Sequence, residues 1–261
     1  MKRKTEKAYF NEEWNDMVGH LNSFIKTGNQ DELHQFRVQV KKLRAMLILL
    51  DAVSSKNKLT RDFKPVRKIF KQCGLIREAY INMLLTSRYK LNDEEFILGQ
   101  VNEMEKNILS FKKLAKKHLK TIKSAHADLE HDLKAVDDDS VNEFYKRQLE
   151  QIASRLNELQ FNESLHDCRK QIKNLVYNRK IAQKALDGKL EIDNDYLDKL
   201  QDRIGNWHDN ELAMELFSAL EKNKPLITKI KRQNTRLKKS INVLAKDFWG
   251  KATLEPDAVK A

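Results

Sequence analysis

Four basic side chains near the start of the sequence, His34, Arg37, Lys41 and Arg44, share one helical spacing. At about 100° per residue they fall within roughly 80° of one another on a helix. Leu33, Phe36, Val40, Leu43 and Leu47 take the adjoining sector, so the basic row runs along the edge of an apolar face. Solvated charge normally lies opposite such a face, and cations beside a core are costly unless something anionic compensates them. The chemistry on offer is therefore anion binding. A guanidinium presents a planar fork to two oxygens, an ammonium tolerates variable geometry, and a neutral imidazole donates one hydrogen bond. His34 also falls in the first turn predicted for its helix, where free N–H groups and the positive end of the dipole attract an anion. Lys42 belongs to the same cluster but points away from the row.

The row recurs. Leu33-His34-Gln35-Phe36-Arg37-Val38-Gln39-Val40-Lys41-Lys42-Leu43 matches Leu165-His166-Asp167-Cys168-Arg169-Lys170-Gln171-Ile172-Lys173-Asn174-Leu175 at an offset of 132. His166, Arg169 and Lys173 repeat the cations, and Val176 stands where Arg44 would be. Gly74-Leu75-Ile76-Arg77-Glu78 then matches Gly205-Asn206-Trp207-His208-Asp209. Each half ends in a helix with a basic face: Lys112, Lys116, Lys120 and Lys123 in the first, Arg232, Arg236 and Lys239 in the second. A solvated face explains these two as well as a binding wall does, and their equivalent places add weight to the wall. The repeat predicts an all-α chain, with residues 1–136 and 137–261 forming two similar antiparallel helical bundles related by a pseudo-two-fold axis.

The elements that must position these rows are helices. Seven glycines and three prolines in 261 residues leave too little turn chemistry for a sheet protein. Apolar spacings of three and four predict helices at 6–26, 31–53, 59–72, 75–90 and 93–133. They continue at 140–160, 163–186, 193–204, 207–222 and 224–248. Gly28-Asn29 closes the first helix and Asp31 is placed to cap the second. Ser140 and Glu143 have capping-box spacing, Pro225 suits the first turn of the last helix, and the tail from Gly250 reads as frayed.

The chain carries 50 Lys/Arg against 38 Asp/Glu, which favours polyanionic partners. The excess is uneven: residues 1–132 hold 26 Lys/Arg and 17 Asp/Glu, and residues 133–261 hold 24 and 21. The longest apolar run, Ala45 to Leu50, is far short of a membrane span. Met1-Lys2-Arg3-Lys4 leads into an amphipathic stretch, so no secretory signal is expected. Cys73 and Cys168 have no metal or redox spacing and read as reduced thiols of a cytoplasmic protein.

At these residues the sequence resembles the CHAD family, helical domains named for a histidine. The resemblance rests on the duplicated His-x-x-Arg with its basic cluster, together with the glycine elements Cys73-Gly74-Leu75-Ile76-Arg77-Glu78 and Ile204-Gly205-Asn206-Trp207-His208-Asp209. It implies two four-helix-type halves around a basic pore or groove that binds inorganic polyphosphate without catalysis. The implied binding residues are His34, Arg37, Lys41, Lys42, Arg44 and Arg77, with His166, Arg169 and Lys173. The walls, Lys112, Lys116, Lys120, Arg232, Arg236 and Lys239, join them. Val176 and His208, the latter where an Arg is expected, imply a weaker second half. No cofactor is expected, and polyphosphate binding would associate the protein with polyphosphate granules.

Two other readings compete. Nucleic acid would be drawn by the same charge, but single strands want aromatic platforms, and Phe36 and Phe111 sit on core sides. Metal binding through the seven histidines lacks an i,i+4 or HExxH pair and would set cations beside cations. No phosphate-loop, dinucleotide or nucleophile-elbow motif points to an enzyme.

Overall fold

The computed structural model describes residues 3–54, 58–91, 93–135, 137–185, 192–218 and 224–253. Among them the protein is all-α: eleven helices, and one isolated bridge between Ile192 and Thr253. The chain divides into two compact units, Met1–Val136 and Asp137–Ala261.

The first unit holds α1 (Arg3–Thr27), α2 (Gln30–Val53), α3 (Leu59–Asp62), α4 (Lys64–Tyr89), α5 (Glu94–Lys113) and α6 (Ala115–Asp132). Here α1 packs along α2, α4 packs on α2 and α5, and α6 covers α1, α3 and α4. The α2 stripe Leu33, Phe36, Val40, Leu43 and Leu47 is buried against Phe10, Met17, Leu21 and Phe24 of α1. The second unit holds α7 (Asp138–Asn157), α8 (Glu163–Ala185), α9 (Asn194–Ser218), α10 (Lys224–Ala245) and α11 (Phe248–Ala252). In it α8 lies against α7 and α9, and α10 packs on α9. Leu165, Cys168, Ile172 and Leu175 of α8 are buried, as are Leu197, Leu200, Ile204 and Trp207 of α9.

The breaks differ from those the sequence suggests. Helices α4 and α9 run unbroken through Gly74 and Gly205. The buried series Ile69, Cys73, Ile76 and Leu200, Ile204, Trp207 keep the helical period across each glycine, and packing outweighs the roughly 0.5–1 kcal/mol that a mid-helix glycine costs. The segment 93–133 is instead two helices, divided at Leu114 without glycine or proline. On a straight helix residues seven apart are separated by about 10 Å along the axis. The bend lets Phe111 and His118 both face the core with their rings 4.6 Å apart. Within the tail α11 buries Phe248 and Ala252, and the Asp193 N–H donates to the Ala252 carbonyl. Residues 254–261 lie outside the described residues.

Two caps also move. Asn29, not Asp31, caps α2, its Oδ1 accepting from the Asp31 N–H at 2.7 Å and the Glu32 N–H at 3.3 Å. Asp137 caps α7 by accepting from the Ser140 N–H and hydroxyl at 2.8 and 2.7 Å, so Ser140 lies inside the helix. The expected outcome in urea unfolding is that Asn29→Ala costs about 1 kcal/mol. Asp31→Ala, which breaks no cap bond and loses a dipole contact and a carboxylate near Arg77, should cost less.

Candidate functional site: paired arginine contacts and a crowded cationic face

The His-x-x-Arg arginines make the same contact in both units. Arg37, on α2, donates from Nη1 to the Phe70 carbonyl of α4 at 2.7 Å, and its guanidinium stacks 4.0 Å from the Phe70 ring centre. Arg169, on α8, donates from Nε to the Gln201 carbonyl of α9 at 3.0 Å. Each acceptor lies four residues before the glycine of its helix. A Cβ at Gly205 would stand 2.7 Å from Arg169 Nη2, and one at Gly74 would stand 3.8 Å from Arg37 Nη1. Gly205 clears a path for the Arg169 guanidinium to lie on the α9 backbone, and both arginines cross-link helices as well as supplying charge.

In the first unit other cations gather at this contact. Burial lowers the Arg37 pKa, and the charge of Arg77 on α4 adds to it. Arg77 is itself lowered by burial, with Tyr80 and Asp31 opposing, and its guanidinium sits 5.0 Å from the Tyr80 ring centre. His34 is pushed below 6.5 by burial, then by Arg77 and Lys41, against Asp31, with Arg37 adding to the fall. Arg44 is lowered by burial and by Arg67 of α4. The structure thus brings His34, Arg37, Lys41 and Arg44 of α2 beside Arg67 and Arg77 of α4. Sequence reasoning missed Arg67. Neither Arg44 nor Arg67 has an ion pair among the described residues. Lys42 departs from the row: its ammonium pairs at 3.2 Å with Glu13, which is buried on α1, so it serves the α1–α2 seam.

The second unit keeps the arginine contact and loses the cationic surroundings. Lys173 is lowered by burial and by Arg169, while Asp202 and Asp198 of α9 oppose the shift. Its ammonium lies 5.3 Å from the Tyr177 ring centre. Stepping along α9 with Gly205 set against Gly74 places Asp198 at the position of Arg67, Asp202 at that of Lys71 and His208 at that of Arg77. Two carboxylates and an imidazole replace three cations, and the repeat itself held that signal. His166 and His208 rest with ring centres 4.1 Å apart. Burial, then the His208 charge, lowers His166 to about 4, and its Nδ1 is buried without a partner. Asp167 pairs with Lys170 at 2.9 Å.

The helix N-termini do not serve as anion sites. Asn29 occupies the first N–H groups of α2, and Asp31 and Glu32 sit in its first turn. Asn162 likewise accepts from the Ser164 N–H through its side chain and from Leu165 and His166 through its carbonyl. The predicted wall of Lys112, Lys116 and Lys120 is divided by the bend at Leu114. Lys112, on α5, approaches Gly28 in the α1–α2 turn, and Lys116 and Lys120 are exposed on α6. On α10, Arg232, Arg236 and Lys239 are exposed and lie opposite the buried Ile230, Asn234 and Ile241, a solvated face and not part of the Arg169 contact.

The remaining histidines have local roles. His20 pairs with Glu32 at 2.7 Å, His131 lies 3.0 Å from Asp132, and His126 bonds Asn11 at 2.7 Å while packing on Phe10 and Trp14. Among the described residues no three His, Cys, Asp or Glu side chains are grouped to hold a metal. Burial pushes the Cys73 and Cys168 thiols up to about 12, and both are free and buried.

The family model of the CHAD domain matches residues 8–218. The crystal structure of the CHAD domain from the plant Ricinus communis is similar in fold, with a TM-score of 0.65 and 17% identity over 94% of this chain and 91% of that one. No curated protein matches the chain in sequence.

Two outcomes are expected. Gly74→Ala places its methyl at ordinary contact distance and should stabilise the protein by about 0.5–1 kcal/mol through helix propensity. Gly205→Ala must displace the Arg169 guanidinium from a charge-assisted bond of about 1.5–3 kcal/mol, so it should lower stability. Denaturant unfolding of the two variants reads the opposite signs. The second concerns pH. Between 6.5 and about 4 the unfolded chain takes up a proton that folded His166 refuses, so this histidine costs nothing above pH 6.5 and destabilises progressively down to pH 4. Melting temperature should therefore fall less over that interval in His166→Gln than in the parent.

Proposed function

Since the chain belongs to the CHAD family, whose members are associated with polyphosphate-related proteins, we propose that it binds inorganic polyphosphate without catalysing its turnover. The α2–α4 face of the first unit carries the main site and the Arg169–Lys173 row a weaker one. One observation carries this reading: His34, Arg37, Arg44 and Arg77 are all held below their ordinary pKa by burial and, for His34, Arg37 and Arg44, by neighbouring cations. Such crowding stores repulsion in the free protein that a bound polyanion relieves. A flexible chain of phosphates suits it because successive oxygens meet groups of fixed and of variable geometry, the arginine forks and Lys41. Arg37 is held by the Phe70 carbonyl and offers its remaining donors. The Arg44 and Arg67 pair, with Arg44 two helical turns beyond Arg37, carries charge with no ion pair among the described residues. In the second unit Asp198 and Asp202 repel the same ligand. Association with intracellular polyphosphate bodies follows from the same reading.

The test is calorimetric titration of long-chain polyphosphate into Arg44→Ala/Arg67→Ala. Affinity should fall at least tenfold, and the slope of log K against log salt should shrink by about 1.4, taking roughly 0.7 per neutralised phosphate. Because the pair is mutually repulsive, the free variant should be no less stable than the parent, which separates binding from folding. Unchanged affinity would remove this face from the site.

A further inference from the structure

Helix α4 has a second flank. With Ile69 facing the core, Phe70, Gly74 and Arg77 turn one way, toward α2, and Lys68 and Gln72 turn the other way, at about 100° per residue. On that other side, between α3, α4 and α6, lies an open groove of 1130 Å³. It lies within the first unit and shares no residue with the Arg37 contact.

Its walls are chemically divided. Lys64 and Lys68 from α4 and Lys117 from α6 line it, and none of them has an ion pair among the described residues. Asp62, Asp128 and Asp132 line it as well, Asp62 and Asp132 being engaged by Arg61 and His131. Pro65, Ile69 and Leu114 give it an apolar floor. His118 is part of the wall; it is only 5% exposed, and its Nε2 is buried with no hydrogen-bond partner. Burial and the Lys117 charge push this imidazole below its ordinary value, so at neutral pH it is uncharged. A buried ring nitrogen left unpaired is costly unless something supplies the missing bond.

We propose that this groove binds a small phosphorylated polyol, its phosphate held by Lys64, Lys68 and Lys117 and its hydroxyls by the aspartates and His118. Three unpaired ammonium groups select a compact anion that tolerates varied geometry. Three carboxylates on the same walls disfavour a bare phosphate chain, because most of its length would meet like charge, whereas a hydroxylated body donates to them. The open groove is roomy enough to admit such a ligand and leaves part of its surface in solvent. The site is independent of the polyphosphate face.

Ribose 5-phosphate is the probe, followed through the ring signals of histidine by NMR and by calorimetry on the full chain. Saturable binding is expected, with the His118 ring signal (assigned by its loss in His118→Asn) shifting along the same curve. Binding should be at least tenfold tighter than that of ribose or inorganic phosphate. Lys68→Ala/Lys117→Ala, two exposed substitutions, should weaken the probe at least tenfold and leave polyphosphate affinity unchanged, whereas Arg44→Ala/Arg67→Ala should leave the probe unaffected. The proposal is overturned by no saturable binding, by an unmoved His118 signal, or by inorganic phosphate binding as tightly as the probe. Full affinity in Lys68→Ala/Lys117→Ala overturns it too, as does loss of polyphosphate binding in that variant, which would make the groove part of the polyphosphate surface.

Discussion

A guanidinium lying on the backbone of a neighbouring helix organises each unit. Arg37 on the Phe70 carbonyl and Arg169 on the Gln201 carbonyl satisfy a charged donor at the margin of the core, where an unpaired cation would be costly. A backbone carbonyl inside a helix already accepts one bond, and a guanidinium lies closest along its second lone pair where a side chain is missing from the next turn. Gly205 provides that opening for Arg169, whereas Arg37 clears Gly74 by an ordinary contact distance. The contact fixes the register of α2 on α4 and of α8 on α9, and register decides which side chains meet along the rest of each seam.

What meets differs between the units. In the first, the register sets Arg44 against Arg67 and Arg37 against Arg77, so like charges crowd a partly desolvated seam. In the second, the same register sets Lys173 near Asp198 and Asp202, so the charges are balanced within the protein. A balanced seam stabilises the fold and has little left for an anion; a crowded one sacrifices stability and gains from whatever neutralises it. That trade between stability and function is the usual mark of a binding site. On the reading proposed above, the first unit takes the larger part in holding a polyanion and the second a chiefly structural one.

Much of this was legible in the sequence because helical period is a local property. The edge-of-core placement of His34, Arg37, Lys41 and Arg44 follows from spacing alone, and the duplicated motif follows from matching residues. What depends on a second helix was not legible. A glycine in a helical pattern reads equally as a break or as a close approach, and only the guanidinium beside Gly74 or Gly205 distinguishes them. Lys42 reads as one of a basic cluster until Glu13 of α1 is beside it. The bend at Leu114, which divides Lys112 from Lys116 and Lys120, has no glycine or proline to announce it and serves the burial of Phe111 and His118. Arg67 was within reach: aligning the halves through Gly74 and Gly205 sets it opposite Asp198, and the charge at that position reverses between the units.

The central claim is that the cationic face is shaped for phosphate chains and is more than a general excess of positive charge. Titration of long-chain polyphosphate at physiological salt, with single-stranded DNA of matched charge as competitor, tests it most directly. The account predicts tight polyphosphate binding that the DNA does not displace, because crowded guanidinium groups, two of them already stacked on Phe70 and Tyr80, favour phosphate over base. Equal binding of the two polymers, or displacement of polyphosphate by DNA at matched charge, would contradict it.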